Sequence, residues 1–390
     1  MAAKKRKKTR TRAKTKKTIR YFDYSLLAVL IFLICFGLVM LYSTSSYSAQ
    51  IKFNDGMFFF KKQAIISAAS LGWMWFVSRI NYHRYVPLAK YLFYFAMFLM
   101  ALVYFTPLGI ETYGARRWLR LPFRQQMQPS EVMKIAIILF IPVILCKIGT
   151  RARTLKELAP ALIWGAIGAL GVYKLTDNMS TGIIVMGIVC VMVFVMHPKT
   201  APFMVAVTAG VALVGVGTKV LGSIMTTSKS FRLRRVLVWL DPEQYATDEG
   251  FQTLQALYAI GSGGFFGKGL GNSAQKLIMP EAQNDMILSI ICEELGIFGF
   301  IVILGLFGFL LYRLMFIAQN APDLYGSLIV TGIFAHIAIQ VVLNVCVVLN
   351  VIPTTGVTLP FVSYGGTSIL FLMTEMGIAL GVSRTIKFEE

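Results

Sequence analysis

Long apolar stretches alternate with short polar segments along the 390-residue chain. Stretches of about 17–25 residues with few or no charges recur, and a helix of that length crosses a hydrocarbon core of roughly 30 Å. The pattern therefore predicts an all-α polytopic membrane protein with about ten transmembrane helices. The predicted spans lie near residues 22–42, 62–78, 88–107, 131–147, 158–174, 181–196, 201–221, 286–312, 324–349 and 367–383.

The composition excludes a water-soluble domain. Hydrophobic residues make up 56% of the chain and charged residues 14%, whereas a soluble domain carries about 25% charged residues. The five cysteines and three histidines are far apart in the sequence. This spacing predicts neither a disulfide framework nor a metal site, and the cysteines are interpreted as small buried hydrophobic residues.

Residues 1–20 form a strongly basic tail without an acidic residue. A block of like charges repels itself, so the tail is predicted to be disordered. It could bind nucleic acid or lie beside the membrane in the cytoplasm. The second interpretation is favoured because the apolar run begins directly after Phe22, and basic flanks stay inside and attract anionic lipids. No nucleic-acid partner is expected, and residues 21–385 are predicted to form one transmembrane domain.

The tail and an even number of spans predict that both termini are cytoplasmic. Two basic loops then fall outside, against the usual charge bias. One follows the third span, and the other is a long loop of residues 222–285 between spans 7 and 8. Either the topology is shifted by one span, or these loops hold an anionic ligand, for which the planar arginine fork is well suited. The basic residues are Arg116, Arg117, Arg120 and Arg124 in the first loop, and Lys229, Arg232, Arg234 and Arg235 in the second.

The long loop contains a helical pattern and then many glycines. Apolar residues from Phe251 to Tyr258 recur at helical spacing, which predicts a short helix at the membrane interface. Glycines cluster at 261–264 and 267–271. No strand precedes them, so a Rossmann or P-loop nucleotide site is rejected. They are interpreted as tight backbone turns near a ligand or a helix.

Asp285 stands just before the eighth span. It could cap the free N–H groups of that helix, or act as a general base at the mouth of a cavity. Glu293 and Glu294 follow about 12 Å further along the helix, where carboxylates are costly and face the protein interior or a wet cavity. Because neighbouring side chains point about 100° apart, the two glutamates are expected to have different partners.

Two other polar segments are predicted to belong to the outer surface or the bundle core. Glu131 and Lys134 are spaced to form an ion pair, which could serve substrate binding or simply stabilise the core. Residues 353–368 are rich in proline, glycine and hydroxyl groups. Such a loop at membrane depth is tolerated only when it is buried in protein or lines a cavity.

Several motifs, in order, resemble the SEDS (shape, elongation, division and sporulation) proteins of bacterial cell-wall synthesis. The resemblance covers nearly the whole chain after the tail, and the glycine segment looks more like the division branch (FtsW and its sporulation relative SpoVE). Thr176, Asn284 and Met286 depart from the usual residues but leave Asp285 in register. The motifs are Gly114-Ala115-Arg116-Arg117-Trp118, Gln128-Pro129-Ser130-Glu131 with Lys134, Gly261-Ser262-Gly263-Gly264, Gly269-Leu270-Gly271-Asn272-Ser273-Ala274-Gln275-Lys276, Pro280-Glu281-Ala282 with Asp285, Glu293-Glu294-Leu295-Gly296, and Leu359-Pro360-Phe361-Val362-Ser363-Tyr364-Gly365-Gly366.

The resemblance implies a ten-span glycosyltransferase of the bacterial cell membrane that polymerises lipid II on the outer side. It also implies a class B penicillin-binding transpeptidase and other division proteins as partners, and Asp285 as the catalytic residue. No cofactor is expected with certainty, and a divalent cation (Mg²⁺ or Mn²⁺) is one candidate for neutralising the leaving diphosphate. Substrate contacts are expected from Arg116, Arg117, Gln128, Glu131, Lys134, Arg235, Gln255, Lys276, Glu281, Ser363 and Gly365.

Two other functions remain open at the level of the sequence. A lipid II flippase would use the buried charges Glu131, Lys134, Glu293 and Glu294 as a polar pathway. It would also need comparable binding groups on both sides, and the cytoplasmic loops are short. A non-catalytic scaffold that recruits the transpeptidase is the third hypothesis.

Overall fold

The computed structural model describes residues 18–112, 115–120, 126–152, 154–205, 208–210, 212, 215, 231–246 and 250–389. Several sequence predictions fall outside these residues. They are the basic tail up to residue 17, most of the seventh span (201–221), the first part of the long loop (222–230), Gly114, Arg124 and Lys229.

The described chain is mainly helical. Nine of the ten predicted spans coincide with a helix, and seven helical segments are long and apolar enough to cross a membrane. The chain is therefore a multi-pass helical membrane protein, while the count of ten spans stays a prediction. The helices are α1 (Tyr24–Phe53), α2 (Phe58–Val77), α3 (Tyr85–Phe105), α4 (Pro129–Ile148), α5 (Leu155–Leu175), α6 (Met179–Met196), α7 (Phe231–Leu240), α8 (Phe251–Gly263), α9 (Ile287–Asn320), α10 (Leu324–Val348) and α11 (Gly366–Ser383).

Two small sheets modify the all-α prediction. Strand β2 (Gly109–Thr112) pairs antiparallel with β3 (Ala115–Arg120), and β3 pairs with β4 (Gln126–Met127). This sheet carries the first arginine loop. Strand β1 (Thr18–Arg20) pairs with β5 (Lys387–Glu389), so the last three residues of the predicted tail are strand. These short strands lack the apolar alternation that sequence patterns detect, and the pairing of β1 with β5 joins segments that are distant in sequence.

Two helices extend well beyond their predicted spans. Helix α1 continues to Phe53 although the apolar run ends near residue 42, because the hydroxyls of Thr44 and Ser45 bond to carbonyls of the preceding turn at 2.9 and 2.7 Å. Their polarity is thereby satisfied within the helix. Helix α9 continues to Asn320 and is broken at Gly296, which has a φ of +69°.

Helices α4, α10 and α11 form the centre of the bundle. Most of their residues are buried, whereas α1, α2, α3, α5 and α9 expose large apolar side chains on their outer faces. An apolar surface of this kind matches lipid. The exposed residues include Phe32, Ile65, Trp75, Phe98, Phe105, Ile163, Leu170, Phe298 and Ile301.

The two described chain ends meet at one end of the bundle. Asp23 caps α1 through Leu26 N–H at 2.9 Å and forms an ion pair of 2.8 Å with Arg313, near the end of α9. Strands β1 and β5 pair at the same end of the bundle. We call the opposite end, where α9 begins, the site end.

Candidate active site

The segment of residues 349–365, which we call the α10–α11 loop, is the meeting point of the site end. The guanidinium of Arg235 in α7 donates to the carbonyl of Thr354 at 3.3 Å. The hydroxyl of Ser180 in α6 donates to the carbonyl of Thr355 at 3.1 Å. Trp239, also in α7, donates to the carbonyl of Asn350 at 2.9 Å. Side chains from two separate helices therefore hold the main chain of this loop.

Side chains of α10 hold the next part of the same loop. The amide nitrogen of Gln340 donates to the carbonyl of Thr358 at 3.0 Å. The amide nitrogen of Asn344 donates to two carbonyls, Val357 and Asp285, at 2.8 Å each. Because an amide NH₂ has two hydrogens, both bonds can form at once. Asn344 thus fastens Asp285 to the α10–α11 loop.

The carboxylate of Asp285 points into this junction. Its Oδ1 accepts a hydrogen bond from Gln252 of α8 at 3.4 Å. Its Oδ2 lies 3.9 Å from where a Cβ on Gly356 would stand, and Gly356 has a φ of +66°. Glycine there allows both the left-handed backbone and the close approach.

Asp285 does not cap α9. The residue at the N-cap is Met286, and it makes no side-chain capping hydrogen bond. The capping hypothesis is therefore wrong, and the carboxylate is left for contacts within the junction.

Burial raises the pKa of Asp285, and the nearby Glu281 carboxylate raises it further, while Arg235 and the bond from Gln252 lower it. The carboxylate is thus held between opposing charges. A carboxyl group with a raised pKa is a stronger base than an ordinary one, which is the property that general-base catalysis uses.

The sheet with the first arginine loop borders the same region. Arg117 donates to the carbonyl of Asp177 at 3.3 Å, just before α6. Thr367 at the start of α11 donates to the carbonyl of Gln126 in β4 at 3.1 Å. Arg116 is turned towards the end of α3 and the start of β2, where it donates to the carbonyls of Thr106 at 3.3 Å and Gly109 at 3.5 Å. The sheet is therefore tied to α6 and α11, with Arg117 on the side of the α10–α11 loop.

Glu131 and Lys134 form the predicted ion pair inside the bundle. Their charged atoms are 2.9 Å apart, and the Lys134 side chain is 3% exposed. The Lys134 ammonium also lies 3.5 Å from the amide oxygen of Gln340. Through Gln340 the pair is connected to the α10–α11 loop.

Lys276 belongs to a different cluster. Its ammonium is 3.1 Å from Glu294, in an almost fully buried ion pair, and the hydroxyl of Ser43 donates to the same carboxylate at 2.7 Å. Glu293 instead pairs with Lys268 at 2.7 Å. The two glutamates have different partners, as their spacing predicted.

These ion pairs fasten residues 264–276, which we call the glycine loop, to the break in α9. The N–H groups of Lys268 and Gly269 donate to the carbonyls of Glu293 and Glu294 at 2.9 Å each. A Cβ on Gly267 would collide with the Glu294 peptide. The glycines therefore allow close packing against a helix, which was one of the two predicted roles.

The remaining predicted contact residues surround the junction without touching the Asp285 carboxylate. Gln128 precedes α4, and Gln255 lies one turn after Gln252 in α8. Ser363 accepts from the Leu359 N–H at 2.9 Å and stabilises a turn. Gly365 precedes α11, and Glu281 accepts from the Asn284 amide at 2.9 Å.

Four residues that contact the junction or its supports were missed by the sequence prediction. They are Gln252, His336, Gln340 and Asn344. The last three are spaced i, i+4 and i+8 on an otherwise apolar helix, which places them on one face. That spacing was a usable signal. No sequence signal distinguished Gln252 from Gln255.

Comparisons with known proteins agree along almost the whole chain. Residues 24–387 match the family model described as "Cell cycle protein", whose label names FtsW, RodA and SpoVE. Stage V sporulation protein E of Bacillus subtilis (strain 168) is 37% identical over 377 residues, covering 96% of this chain and 100% of the relative. The probable peptidoglycan glycosyltransferase FtsW of Geobacter sp. (strain M18) is 35% identical over 374 residues, covering 94% and 98%.

Solved structures show the same fold. A chain from a structure titled "Structural coordination of polymerization and crosslinking by a peptidoglycan synthase complex" superposes with a TM-score of 0.75 at 27% identity, covering 93% of this chain and 98% of that one. The rod shape determining protein RodA of Thermus thermophilus superposes with a TM-score of 0.63 at 26% identity, covering 93% and 97%. The chain therefore belongs to the FtsW/RodA/SpoVE (SEDS) family of cell cycle proteins.

Proposed function

We propose that this protein is a peptidoglycan glycosyltransferase that polymerises lipid II into glycan strands, with Asp285 as the general base. The observation that carries the proposal is the junction at the site end, where Asp285 meets Gly356, Gln252 and the charges of Arg235 and Glu281. The names of the relatives support the reaction class, and the geometry of the junction supports Asp285 as the base.

In the proposed reaction the acceptor sugar's 4-hydroxyl loses its proton to the Asp285 carboxylate. The hydroxyl oxygen forms a bond to the anomeric carbon of the donor sugar, and the bond from that carbon to the lipid diphosphate breaks. The electron pair leaves on the diphosphate. Attack opposite the leaving group converts an α-linked donor into a β-linked product.

One carboxylate is enough for this reaction. A diphosphate needs its charge neutralised rather than a proton, whereas a glycosidase needs an acid as well as a base. Arg235 lies at the junction, and Arg117 lies at its border. Preorganised cations of this kind stabilise the developing charge. Lys134 would contribute from deeper in the bundle.

A divalent cation would fit the junction only if protein carboxylates and substrate phosphates bound it together. The described residues contain no group of three or more metal-binding side chains. Mg²⁺ is commonly held by one or two carboxylates together with substrate phosphates. Asp285 and Glu281 would be the protein ligands, and the cation would neutralise charge on the diphosphate.

The test is lipid II polymerisation by the purified protein in liposomes. Asp285→Asn should lose glycan synthesis by at least about 100-fold, the scale of general-base catalysis. Asp55→Asn is the matched control, since Asp55 is half-exposed and forms an ion pair of 2.9 Å with Lys61. Normal polymer from a folded Asp285→Asn protein would refute the assignment.

A flippase is the second candidate, because several charged groups are buried between α4, α10 and α11. Movement of fluorescent lipid II between leaflets without polymer would favour transport. If the protein neither makes polymer nor moves lipid II between leaflets, the scaffold hypothesis is favoured.

We also propose division as the cellular role, a class B penicillin-binding transpeptidase as partner, and the outer face of the cell membrane as the side of the site. The division-type relatives support the role, and the peptidoglycan synthase complex supports the partner. A fluorescent fusion should locate at the septum, and sidewall labelling would contradict the division role. Co-purification with candidate transpeptidases tests the partner.

A further inference from the structure

A buried histidine and glutamate lie in the centre of the bundle, outside the mechanism described above. His336 in α10 and Glu375 in α11 are 0% and 1% exposed, and Nδ1 of the imidazole is 2.7 Å from the carboxylate. Ionisable groups at such positions are expensive to bury. The contact between His336 and Gln340 indicates the role of the pair.

The other imidazole nitrogen contacts Gln340. His336 Nε2 is 2.8 Å from the Gln340 amide oxygen. The assignment of oxygen and nitrogen in that amide follows from its partners. The Thr358 carbonyl can only accept, so Gln340 turns its NH₂ group towards it at 3.0 Å and its oxygen towards Lys134 and His336. His336 must then carry a hydrogen on Nε2.

That requirement fixes the protons of the pair. With Nε2 protonated, one more proton is shared between Nδ1 and Glu375. It lies either on the ring, giving imidazolium and carboxylate, or on the carboxyl group, giving two neutral partners. The pair carries no net charge in either form. The neighbouring Glu131–Lys134 pair is also neutral overall, so the whole cluster is compatible with a membrane interior.

The cluster leads directly to the junction. Gln340 holds the carbonyl of Thr358, two residues after Gly356, and Gly356 lies against the Asp285 carboxylate. If the donor at Nε2 were lost, the Gln340 amide could rotate by half a turn. Its NH₂ would then face the Lys134 ammonium and its oxygen would face the Thr358 carbonyl, so both contacts would become repulsive.

We propose that His336 and Glu375 are positioning residues: Glu375 fixes the protonation of His336, His336 fixes the amide of Gln340, and Gln340 holds the α10–α11 loop beside Asp285. The effect on catalysis rests on the function proposed above, whereas the effect on the loop does not. The same arrangement, a carboxylate that fixes a histidine tautomer, is used where an imidazole must present one defined nitrogen.

The experiment compares full-length variants in liposomes with lipid II. Glu375→Leu and His336→Leu should lower kcat by about tenfold or more, because the loop beside Asp285 would lose its support from Gln340. Glu375→Gln should stay within about threefold of the parent, since its amide can donate to Nδ1 and keep the hydrogen on Nε2. His336→Gln, whose amide nitrogen can reach the place of Nε2, should recover part of the loss.

A second readout does not depend on enzymatic activity. Hydrogen–deuterium exchange of a peptide covering residues 356–364 should be faster in Glu375→Leu than in the parent and near the parental rate in Glu375→Gln. If all four variants match the parent in kcat and in exchange, the proposal is overturned. If the parent makes no polymer but the exchange pattern holds, the proposed function fails and the positioning role stands. If a leucine variant does not fold, the glutamine pair decides: parental behaviour in His336→Gln together with a tenfold loss in Glu375→Gln would overturn the proposal.

Discussion

Asn344 binds the main chain of Asp285 rather than its carboxylate. The amide donates to the Asp285 carbonyl and to the Val357 carbonyl at 2.8 Å each. The side chain of Asp285 is thereby left to face the junction while its backbone is fixed to the neighbouring loop. Asn344 therefore stabilises the junction and also positions the Asp285 side chain.

Replacing Asn344 by leucine should therefore lower kcat and the melting temperature together. Two buried carbonyls would lose their donor, and each unsatisfied group costs about 1–3 kcal/mol. Polymerisation and thermal unfolding in detergent are the measurements. Asn320→Leu is the control, because its amide bonds only within its own helix, to the Phe316 carbonyl at 2.8 Å. Equal effects of the two substitutions would contradict the role of Asn344.

The pH dependence of the reaction should move in opposite directions in two charge variants. Burial and Glu281 raise the pKa of Asp285, and Arg235 lowers it. Since the base must be deprotonated, kcat/KM should fall as the pH decreases through that pKa. Arg235→Gln should move this acid limb to higher pH, and Glu281→Gln should move it to lower pH. Limbs that move the same way, or not at all, would show that Asp285 is not the titrating group.

Asp285→Asn should be inactive but more stable than the parent at pH 8. A carboxyl group with a raised pKa binds its proton more tightly in the folded state. Its contribution is therefore favourable at low pH and is lost as the pH rises through the unfolded value to the folded one. The neutral amide avoids that loss. Melting temperatures should differ by a few degrees at pH 8 and converge at pH 4. A lower melting temperature at pH 8 would argue against a carboxyl group whose pKa is raised in the folded state.

Gly356→Ala should reduce activity strongly. Its φ of +66° costs a residue with a Cβ about 1–2 kcal/mol, and the new methyl group would lie 3.9 Å from the Asp285 carboxylate. Gly72→Ala is the matched control, because nothing lies within 4 Å of a Cβ there and the residue is in α2. Polymerisation assays should show a loss for the first variant alone.

Lys276 offers a test between a structural and a substrate-binding role. Breaking its buried pair with Glu294 should cost about 3–5 kcal/mol, because the Glu294 carboxylate would lose its counter-charge. Lys276→Met should therefore unfold at a lower temperature, and Lys276→Met combined with Glu294→Gln should recover much of the loss. A variant of unchanged stability with a raised KM would instead place Lys276 among the substrate contacts.

The sequence was sufficient for the elements whose signal is long and periodic. Apolar runs predicted nine helices that the structure contains, and motif order predicted the family. The limits are physical. The hydroxyls of Thr44 and Ser45 lower the hydropathy of α1 but are satisfied within the helix, so the predicted span ended early. Gly296 stands inside a predicted span, where its backbone break leaves no periodic signal.

The contact partners of individual side chains were the least predictable property of the site. Lys276 and Arg117 are both basic residues in predicted loops. Lys276 is buried against Glu294, whereas Arg117 contacts the Asp177 carbonyl. Their partners are set by how other helices of the bundle pack. Gln252 and Gln255 differ by one turn of a short helix, and the rotation of that helix is set by its packing on α9.

The pairing of β1 with β5 has a consequence for how the protein is made. Thr18–Arg20 and its partner, Lys387–Glu389, are separated in the chain by all of the described helices. At about 5–20 residues per second, the wait between the synthesis of the two strands is on the order of 20–70 s. The strand pair can therefore form only after every helix between them has been made.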